Sequence, residues 1–296
     1  MRKRIFRIIM SLAILLLVIL SGMLAYSYFN VERAVSRSYQ KSGLKAAKNE
    51  SKEEVLKGKK PLVVLLLGTD TGALDRDYKG RTDSIMVLVL NPRTKKSTIV
   101  SIERDFQVNF PQYPQYSPSK INAAYTYGGV KLLSQTLDRY FKIPVNTYAL
   151  INMGGMKSII DQLGGVTTHM NGDKALEYCR MRYDDPEGDY GRQKRQRQVL
   201  TAIIKSGADV QSLLKPAFLN SVSSQVRTDL TFSDLTQMAK SYRASGDQLE
   251  TDYTHGTGFN QDGVSYQHIS LAERQRISDL VRQAAGLKKV QLANGQ

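Results

Sequence analysis

The start of the chain contains an uncharged run that is long enough to cross a membrane. From Ile8 to Asn30 there is no charged side chain, and a helix needs about 20 apolar residues to span a bilayer. Four basic residues precede the run: Arg2, Lys3, Arg4 and Arg7. Because basic flanks stay in the cytoplasm, we predict a cytoplasmic start at 1–7 and a signal anchor at 8–30. The protein would be a single-pass protein of the cell membrane with an extracellular body. A cleaved signal peptide is the alternative, but it favours a shorter apolar run followed by a cleavage site.

The distribution of charge argues against a nucleic-acid partner. The net charge is +15, yet residues 1–60 hold 13 basic and 4 acidic side chains, and the other 236 residues hold 29 and 23. Most of the excess therefore precedes the folded body, and we predict no nucleic-acid partner. Residues 31–60 are polar with mixed charge, which is typical of a linker, either a tether or a frayed helix, on the outer face of the membrane.

Beyond residue 60, strand-like and helix-like segments alternate. Three β-rich runs come first: PLVVLLLGTD, SIMVLVL and STIVSIERD. Among the longer helical patterns are INAAYTYGGVKLLSQTLDRYF, RQKRQRQVLTAIIKSG and LAERQRISDLVRQAAG. This alternation predicts an α/β fold with helices packed on a mixed sheet. We assign 61–287 to one extracellular domain and 288–296 to a C-terminal tail.

Charged residues cluster at one end of the predicted sheet. If the Asn-Pro turn forms a hairpin loop, Asn91 pairs with Lys96, and the same register places Asp83 opposite Arg104. Asp70 ends the preceding strand. Ligand sites in open α/β sheets lie at such strand ends. The alternative is a salt bridge at the rim of the sheet, worth under about 1 kcal/mol.

The segment GDYGRQKRQRQVL carries a dense group of cations. On a helix Arg192, Arg195 and Gln196 share one face, because they are spaced i, i+3 and i+4. Arg180 and Arg182 come shortly before them. Since the arginine fork matches phosphate oxygens in a bidentate way, the group favours a pocket for a phosphorylated ligand.

Two other interpretations of this basic segment remain open. It could be a solvated helix face, or a nucleic-acid patch, although nearby aspartates would repel a phosphate backbone. Arg197 lies off the shared face, so we expect it to tolerate substitution. The histidines and the single cysteine show no metal-ligand spacing. Aspartates without such partners suit a hard cation such as magnesium.

Several motifs together resemble the LytR-CpsA-Psr family of cell-wall enzymes. They are LLLGTD, GRTDSIMVLVLNP, VSIERD, KINAAYTYGG, IIDQLGGV, NGDKALEYCRMR and GDYGRQKRQ. The resemblance implies an α-β-α fold, with helices on both faces of the sheet and a long apolar pocket for a prenyl chain. It also implies a transferase that moves a glycopolymer, such as teichoic acid or capsular polysaccharide, from a polyprenyl diphosphate carrier to peptidoglycan.

The resemblance also implies roles for individual residues. Asp70 and Asp83 match the family's magnesium-binding aspartates, so Mg²⁺ is the expected cofactor. The residues that match its diphosphate-binding set are Arg104, Arg180, Arg182, Arg192 and Gln196, and Asp189 and Arg195 belong to the same motif. The acceptor hydroxyl needs a base, for which Asp105 and Asp189 are both candidates.

The chain departs from the family pattern at two points. Glu103 stands where relatives usually have proline, and the connection from Gly165 to Asn171 is short. Because relatives usually carry a strand-containing segment there, we expect part of the sheet or pocket wall to be missing, which bears on substrate choice and activity. A regulatory membrane protein without catalysis and a polyprenyl-diphosphate phosphatase are the alternative functions.

Overall fold

The structure is a computed structural model and describes most of the chain beyond the predicted anchor. The described residues are 28–44, 52–57, 59–69, 80–162, 164–165, 170–181, 185–205, 223, 225–246 and 248–293. Asp70 and Arg182, two of the predicted site residues, lie outside them, as do residues 8–27 of the predicted anchor. No helix among the described residues has the length and apolarity needed to cross a bilayer.

The helices and strands alternate along the chain, as the sequence predicts. The helices are α1 (28–38), α2 (Lys52–Lys57), α3 (Ala123–Phe141), α4 (Met153–Gln162), α5 (Gly172–Arg180), α6 (Gly188–Lys205), α7 (Phe232–Ser241) and α8 (Leu271–Ala284). The strands are β1 (Leu62–Thr69), β2 (Thr82–Asn91), β3 (Lys96–Ser101), β4 (Gln107–Val108), β5 (Ser119–Lys120), β6 (Thr147–Asn152), β7 (Val226–Thr228), β8 (Gln248–Tyr253), β9 (Thr257–Gln261) and β10 (Val264–His268). Short 3₁₀ turns lie at Pro114–Tyr116 and Arg243–Gly246.

Six of these strands form one mixed sheet, which confirms the predicted architecture. Their order is β7-β6-β1-β2-β3-β8. The β1–β6 and β3–β8 pairs are parallel, and the β1–β2, β2–β3 and β6–β7 pairs are antiparallel. The apolar run LVVLLLGT forms β1, which is buried between two neighbours, as expected for a central strand.

Helices cover both faces of this sheet. On one face Val63 and Leu65 belong to a core that includes Leu133 of α3 and Ile277 of α8. On the other face Val64 of the same strand belongs to a second core, which contains residues of α2 and has α6 and α7 residues packed against it. Alternate side chains of a strand point to opposite faces, so one apolar strand supplies both cores.

The predicted hairpin between β2 and β3 is confirmed in its register. Asn91 pairs with Lys96, and the ladder continues to the pair of Met86 and Ser101. The loop is fixed by Asn91, whose Oδ1 accepts hydrogen bonds from the backbone amides of residues 93 and 94. Arg104 lies beyond the last paired residue, and its side chain reaches back to contact Asp83.

The predicted linker at 31–60 begins as a helix, since α1 extends to residue 38, and its described parts pack against the body. The backbone amide of Gln40 donates to Thr228 on the edge strand β7 over 2.7 Å. The Ser42 hydroxyl donates to the buried Asp229 over 2.5 Å. In α2, Val55 and Leu56 are buried in the second core. Their apolar surface is removed from water, which stabilises the docked segment.

Replacing Leu56 by alanine tests whether α2 is part of the core. Leu56 is 1% exposed, so Leu56→Ala should lower the free energy of unfolding by about 2–5 kcal/mol, through lost burial and a cavity. Leu287 is 41% exposed, and Leu287→Ala is the matched control, with an expected change under about 0.5 kcal/mol. Urea denaturation of both variants measures the difference. Equal small losses would mean that residues 52–57 do not contribute to the core.

Candidate active site

The site forms where β2 begins and β3 ends, because antiparallel strands bring these two points to the same end of the sheet. Arg104 follows β3 by three residues, and its carbonyl accepts from the backbone amide of Asn122 over 3.2 Å. The carbonyl of Asn122 in turn accepts from the amide of Thr82 over 3.5 Å. The backbone at the start of α3 therefore holds both strand ends in place.

The Arg104 guanidinium is surrounded by three carboxylates. It forms an ion pair with Asp83, Nη2 lies 3.4 Å from Asp189 Oδ1, and Nε lies 3.8 Å from Asp105 Oδ2. Burial alone would lower the pKa of Arg104, but Asp189, Asp105 and Asp83 raise it above its ordinary value. Arg104 therefore stays charged and joins β2, its own loop and α6.

Helix α6 brings its basic residues into the protein interior. Arg192 Nη2 lies 2.5 Å from Asp189 Oδ1 in the first turn of the helix. Between positions 192 and 199 only Lys194 and Gln198 are exposed. The interpretation of this segment as a solvated basic face is therefore wrong, because the face that carries Arg192 is turned to the sheet.

Several buried polar groups near Arg104 have no partner among the described residues. Gln196 is 7% exposed, yet neither of its amide atoms makes a hydrogen bond within the described part of the chain. The same holds there for Gln193 Oε1, and at the end of α5 for Arg180 Nη2. A small pocket is lined by Asp83, Ser84, Ile85, Ser101, Ile102, Arg104, Gln193 and Gln196. Leaving such a group unsatisfied costs about 1–3 kcal/mol, so this arrangement is typical of a polar ligand site.

Arg195 takes part in a different set of contacts. Its Nε donates to the carbonyl of Tyr178 over 2.8 Å, and its two Nη atoms contact the carbonyl of Met181 and the carboxylate of Asp185. The hydrogen bond from Arg195 lowers the pKa of Asp185. These contacts join α6 to the end of α5, where cations stabilise the last helical carbonyls. The predicted contact of Arg195 with a diphosphate stays a prediction.

Arg197 has its own buried contacts, which the sequence did not indicate. Its Nη1 donates to the Ser101 hydroxyl over 2.9 Å, and its guanidinium lies 4.9 Å from the centroid of the Tyr253 ring. The residue is 7% exposed. Arg197 was expected to tolerate substitution because it lies off the face shared by the other basic residues. This reasoning is wrong, because its contacts hold α6 on the ends of β3 and β8.

Glu103, which the sequence singled out only as a departure from the family pattern, lies directly beneath the site. It is 1% exposed. One carboxylate oxygen accepts from Gln193 Nε2 over 2.7 Å, and the other accepts from the backbone amide of Asp105 over 3.2 Å. Burial, followed by the charge of Asp189, raises the pKa of Glu103. Gln193 Nε2 also lies 3.5 Å from Asp189, so the Glu103–Gln193 pair supports the first turn of α6.

The carboxylates of the site have the chemistry that a magnesium ion prefers. Oxygen atoms of Glu103, Asp105 and Asp189 lie within 4.8 Å of one another, and Asp83 is ion-paired with Arg104. Hard cations take oxygen ligands of this kind. Asp105 also contacts Lys120, whose Nζ lies 2.8 Å from its Oδ1. The chemistry of these donors fits magnesium, but they are not the predicted ligands. Asp83 contacts Arg104 instead of this group, and Asp70 is outside the described residues, so the predicted pair stays a prediction.

Comparison with known proteins identifies related chains. A family model described as the LytR_cpsA_psr family matches residues 25–169 and 165–283, two stretches that meet at the short connection before α5. A protein named polyisoprenyl-teichoic acid--peptidoglycan teichoic acid transferase TagU, from Enterococcus faecalis, is 36% identical over 306 residues, which covers 97% of this chain and 99% of the relative.

Two solved structures have a similar fold. The crystal structure of protein gbs0355 from Streptococcus agalactiae is 28% identical with a TM-score of 0.73, and the match covers 82% of this chain and 94% of that one. The structure of transcriptional regulator EF0465 from Enterococcus faecalis is 30% identical with a TM-score of 0.68, over 79% of this chain and 91% of that one.

The raised pKa of Glu103 predicts a specific pH dependence of stability. Because the folded pKa lies above the unfolded one, the folded state binds the proton more tightly, and the wild-type free energy of unfolding should fall as pH rises between these two values. Glu103→Gln cannot ionise, so its stability relative to wild type should increase over the same interval and then level off. Urea denaturation at a series of pH values measures this difference. Glu53→Gln, at a carboxylate that is 69% exposed, is the control, and a Glu103→Gln difference that is constant with pH would contradict the account.

Proposed function

The chain belongs to the LytR_cpsA_psr family, and we propose that it is a membrane-anchored phosphotransferase of the cell wall. It moves a glycopolymer, teichoic acid or capsular polysaccharide, from a polyprenyl diphosphate carrier to peptidoglycan. The observation that carries this proposal is the pocket at the end of the sheet beside Arg104, where Gln196 is buried and neither of its amide atoms makes a hydrogen bond within the described residues. The relative named as a teichoic acid transferase matches almost the whole chain.

The arginines account for recognition of the diphosphate. Arg180 is the last residue of α5 and Arg192 lies in the next helix, α6, where Gln196 is one turn further along. Arg182 belongs to the same predicted set and lies outside the described residues. Guanidinium groups form charge-assisted hydrogen bonds to phosphate oxygens, and the low exposure of Arg192 and Gln196 strengthens these bonds by excluding water. Arg195 belongs to the same predicted set, and its contacts with the end of α5 also position the segment that carries Arg180.

The transfer step exchanges the phosphoanhydride bond of the diphosphate for a new phosphate ester. The oxygen of an acceptor hydroxyl attacks the phosphorus that carries the glycopolymer. The bond from this phosphorus to the bridging oxygen breaks, and polyprenyl phosphate leaves with the electron pair. The hydroxyl proton moves to a carboxylate, for which Asp105 and Asp189 are both candidates. Fixed cations close to the diphosphate stabilise the charge that develops on the leaving group.

Magnesium and the membrane anchor are further parts of the proposal. Asp83, with Asp70, would hold the ion, and the carboxylate-rich surroundings of Arg104 support this assignment. A bound magnesium ion neutralises negative charge on the diphosphate. The uncharged run at 8–30 would anchor the chain in the cell membrane with its body outside, where both the lipid carrier and peptidoglycan are accessible.

Replacing Arg192 tests the diphosphate pocket, and Lys194 provides a matched control on the same helix. Arg192→Gln and Arg192→Lys should both weaken binding of a polyprenyl diphosphate about tenfold or more, because a charge-assisted hydrogen bond worth about 1.5–3 kcal/mol is lost and lysine lacks the bidentate fork. Lys194→Gln removes the same charge from a side chain that is 56% exposed and should bind as wild type. A titration measures all three, with circular dichroism as the fold control. Equal small losses at both positions would indicate a diffuse basic surface.

One product analysis separates the three candidate functions. Full-length protein in detergent is incubated with a lipid-linked donor and purified peptidoglycan. The proposal predicts polymer covalently joined to the glycan. Release of free phosphorylated polymer, with or without peptidoglycan, would identify the phosphatase. An absence of any product from a protein that still binds the donor would favour the regulatory alternative, a type of function that the name of the Enterococcus faecalis structure suggests for that protein.

A further inference from the structure

A loop without charged side chains extends from the hairpin of β4 and β5. Residues 109–119 read NFPQYPQYSPS, although 23% of the whole chain is charged. Pro111, Gln112, Gln115 and Tyr116 are exposed. The surface that this loop offers to solvent therefore consists of proline and tyrosine rings and of neutral amides.

A column of aromatic rings runs from the core to the tip of this loop. Phe110 is fully buried, and its ring centroid lies 6.1 Å from that of Tyr127 on α3. The Tyr127 ring stacks on Tyr116 at 4.2 Å with an interplanar angle of 10°. The Tyr113 ring lies next to that of Tyr116, with ring centroids 6.4 Å apart and an interplanar angle of 26°. Tyr116 is nevertheless 45% exposed. A ring that is held in place by stacking on Tyr127 therefore presents part of its surface to solvent.

Hydrogen bonds within the loop hold these rings in position. The Ser117 hydroxyl accepts from the amide of Phe110 over 2.8 Å and donates to the carbonyl of Tyr113 over 3.3 Å. The amide of Asn109 donates to the Tyr140 hydroxyl over 2.8 Å. A surface that is already ordered loses little conformational entropy when a ligand binds.

The loop is joined directly to the candidate active site. Lys120 pairs with Gln107 at the base of the loop, and its Nζ lies 2.8 Å from Asp105, one of the two candidate bases. Tyr116 is four residues from Lys120 in the chain, which limits the distance between their Cα atoms to about 14 Å. A polymer strand bound on Tyr116 could therefore present a hydroxyl to the site.

We propose that the Tyr116 surface, defined as Tyr116, Gln112 and Gln115, binds the sugar strand of the peptidoglycan acceptor. This inference rests on the proposed function. A pyranose ring has an apolar C–H face that can lie against an aromatic ring, and hydroxyls that can bond to neutral amides. Tyrosine suits such a ligand, because it combines an apolar ring with a polar hydroxyl.

The absence of charged side chains from residues 109–119 favours a neutral glycan over negatively charged ligands. Teichoic acid carries phosphates along its length, and anionic lipids and nucleic acids are also negatively charged. Each of them is bound by lysine and arginine, which are absent from residues 109–119. The glycan backbone of peptidoglycan has a neutral polar surface, which matches the Tyr116 surface.

The test compares Tyr116→Ala, Tyr116→Phe and the control Tyr39→Ala in the full-length protein. Tyr39 is 46% exposed, as Tyr116 is 45% exposed, but it lies at the end of α1 beside β7. Tyr116→Ala should raise the KM for peptidoglycan about threefold to tenfold, with kcat and the KM for the lipid donor unchanged. Tyr116→Phe should retain most of the wild-type KM, and Tyr39→Ala should behave as wild type.

Binding to purified peptidoglycan, measured by co-sedimentation, provides a second readout that needs no catalysis. Tyr116→Ala should be retained less than Tyr39→Ala. Equal retention of the two variants, or a rise in the KM for the donor instead of the acceptor, would overturn the inference. If wild-type protein binds peptidoglycan through Tyr116 but transfers nothing, the transferase proposal fails and the binding surface stands.

Discussion

The ion-pair group around Arg104 is the interaction on which the rest of the structure depends. One partly buried guanidinium contacts carboxylates that come from β2, from its own loop and from α6. The register of the β2–β3 hairpin brings Asp83 within reach, and the start of α3 fixes the backbone of Arg104. Removing one partner from such a group would leave the remaining charge without compensation, at a cost of several kcal/mol. The folded state at this end of the sheet therefore depends on Arg104 keeping its carboxylate partners.

One neutral polar group next to this ion-pair group is left without a partner in the described residues. Gln196 is 7% exposed, and its amide makes no hydrogen bond within the described residues. A fold that only needed stability would place an apolar side chain at this position. A buried polar group without a partner costs folding energy. Under the proposed function, the diphosphate is the ligand that supplies the missing partner.

The sequence predicted the features that depend on local periodicity, and it could not predict those that depend on packing between distant segments. The hairpin register follows from a two-residue period and a turn, so the contact between Asp83 and Arg104 could be anticipated. Helical spacing showed that Arg192 and Arg195 share a face. It could not show that the Arg195 side chain turns to the end of α5. The docking of residues 28–44 on β7 was missed because polar, charge-mixed composition is common to linkers and to surface segments alike.

The most direct test of the central claim is how the wild-type protein ranks ligands that differ only in their headgroup. Titration of the full-length protein with one prenyl chain as its diphosphate, its monophosphate and its alcohol measures what the polar groups around Arg104 recognise. The account predicts that the diphosphate binds most tightly, the monophosphate at least about tenfold more weakly, as expected for the loss of one or more charge-assisted hydrogen bonds, and the alcohol weakest of all. Equal affinity for the diphosphate and the alcohol would show that the chain recognises only the prenyl tail. It would contradict the assignment of Arg104 and the polar groups around it to a diphosphate site.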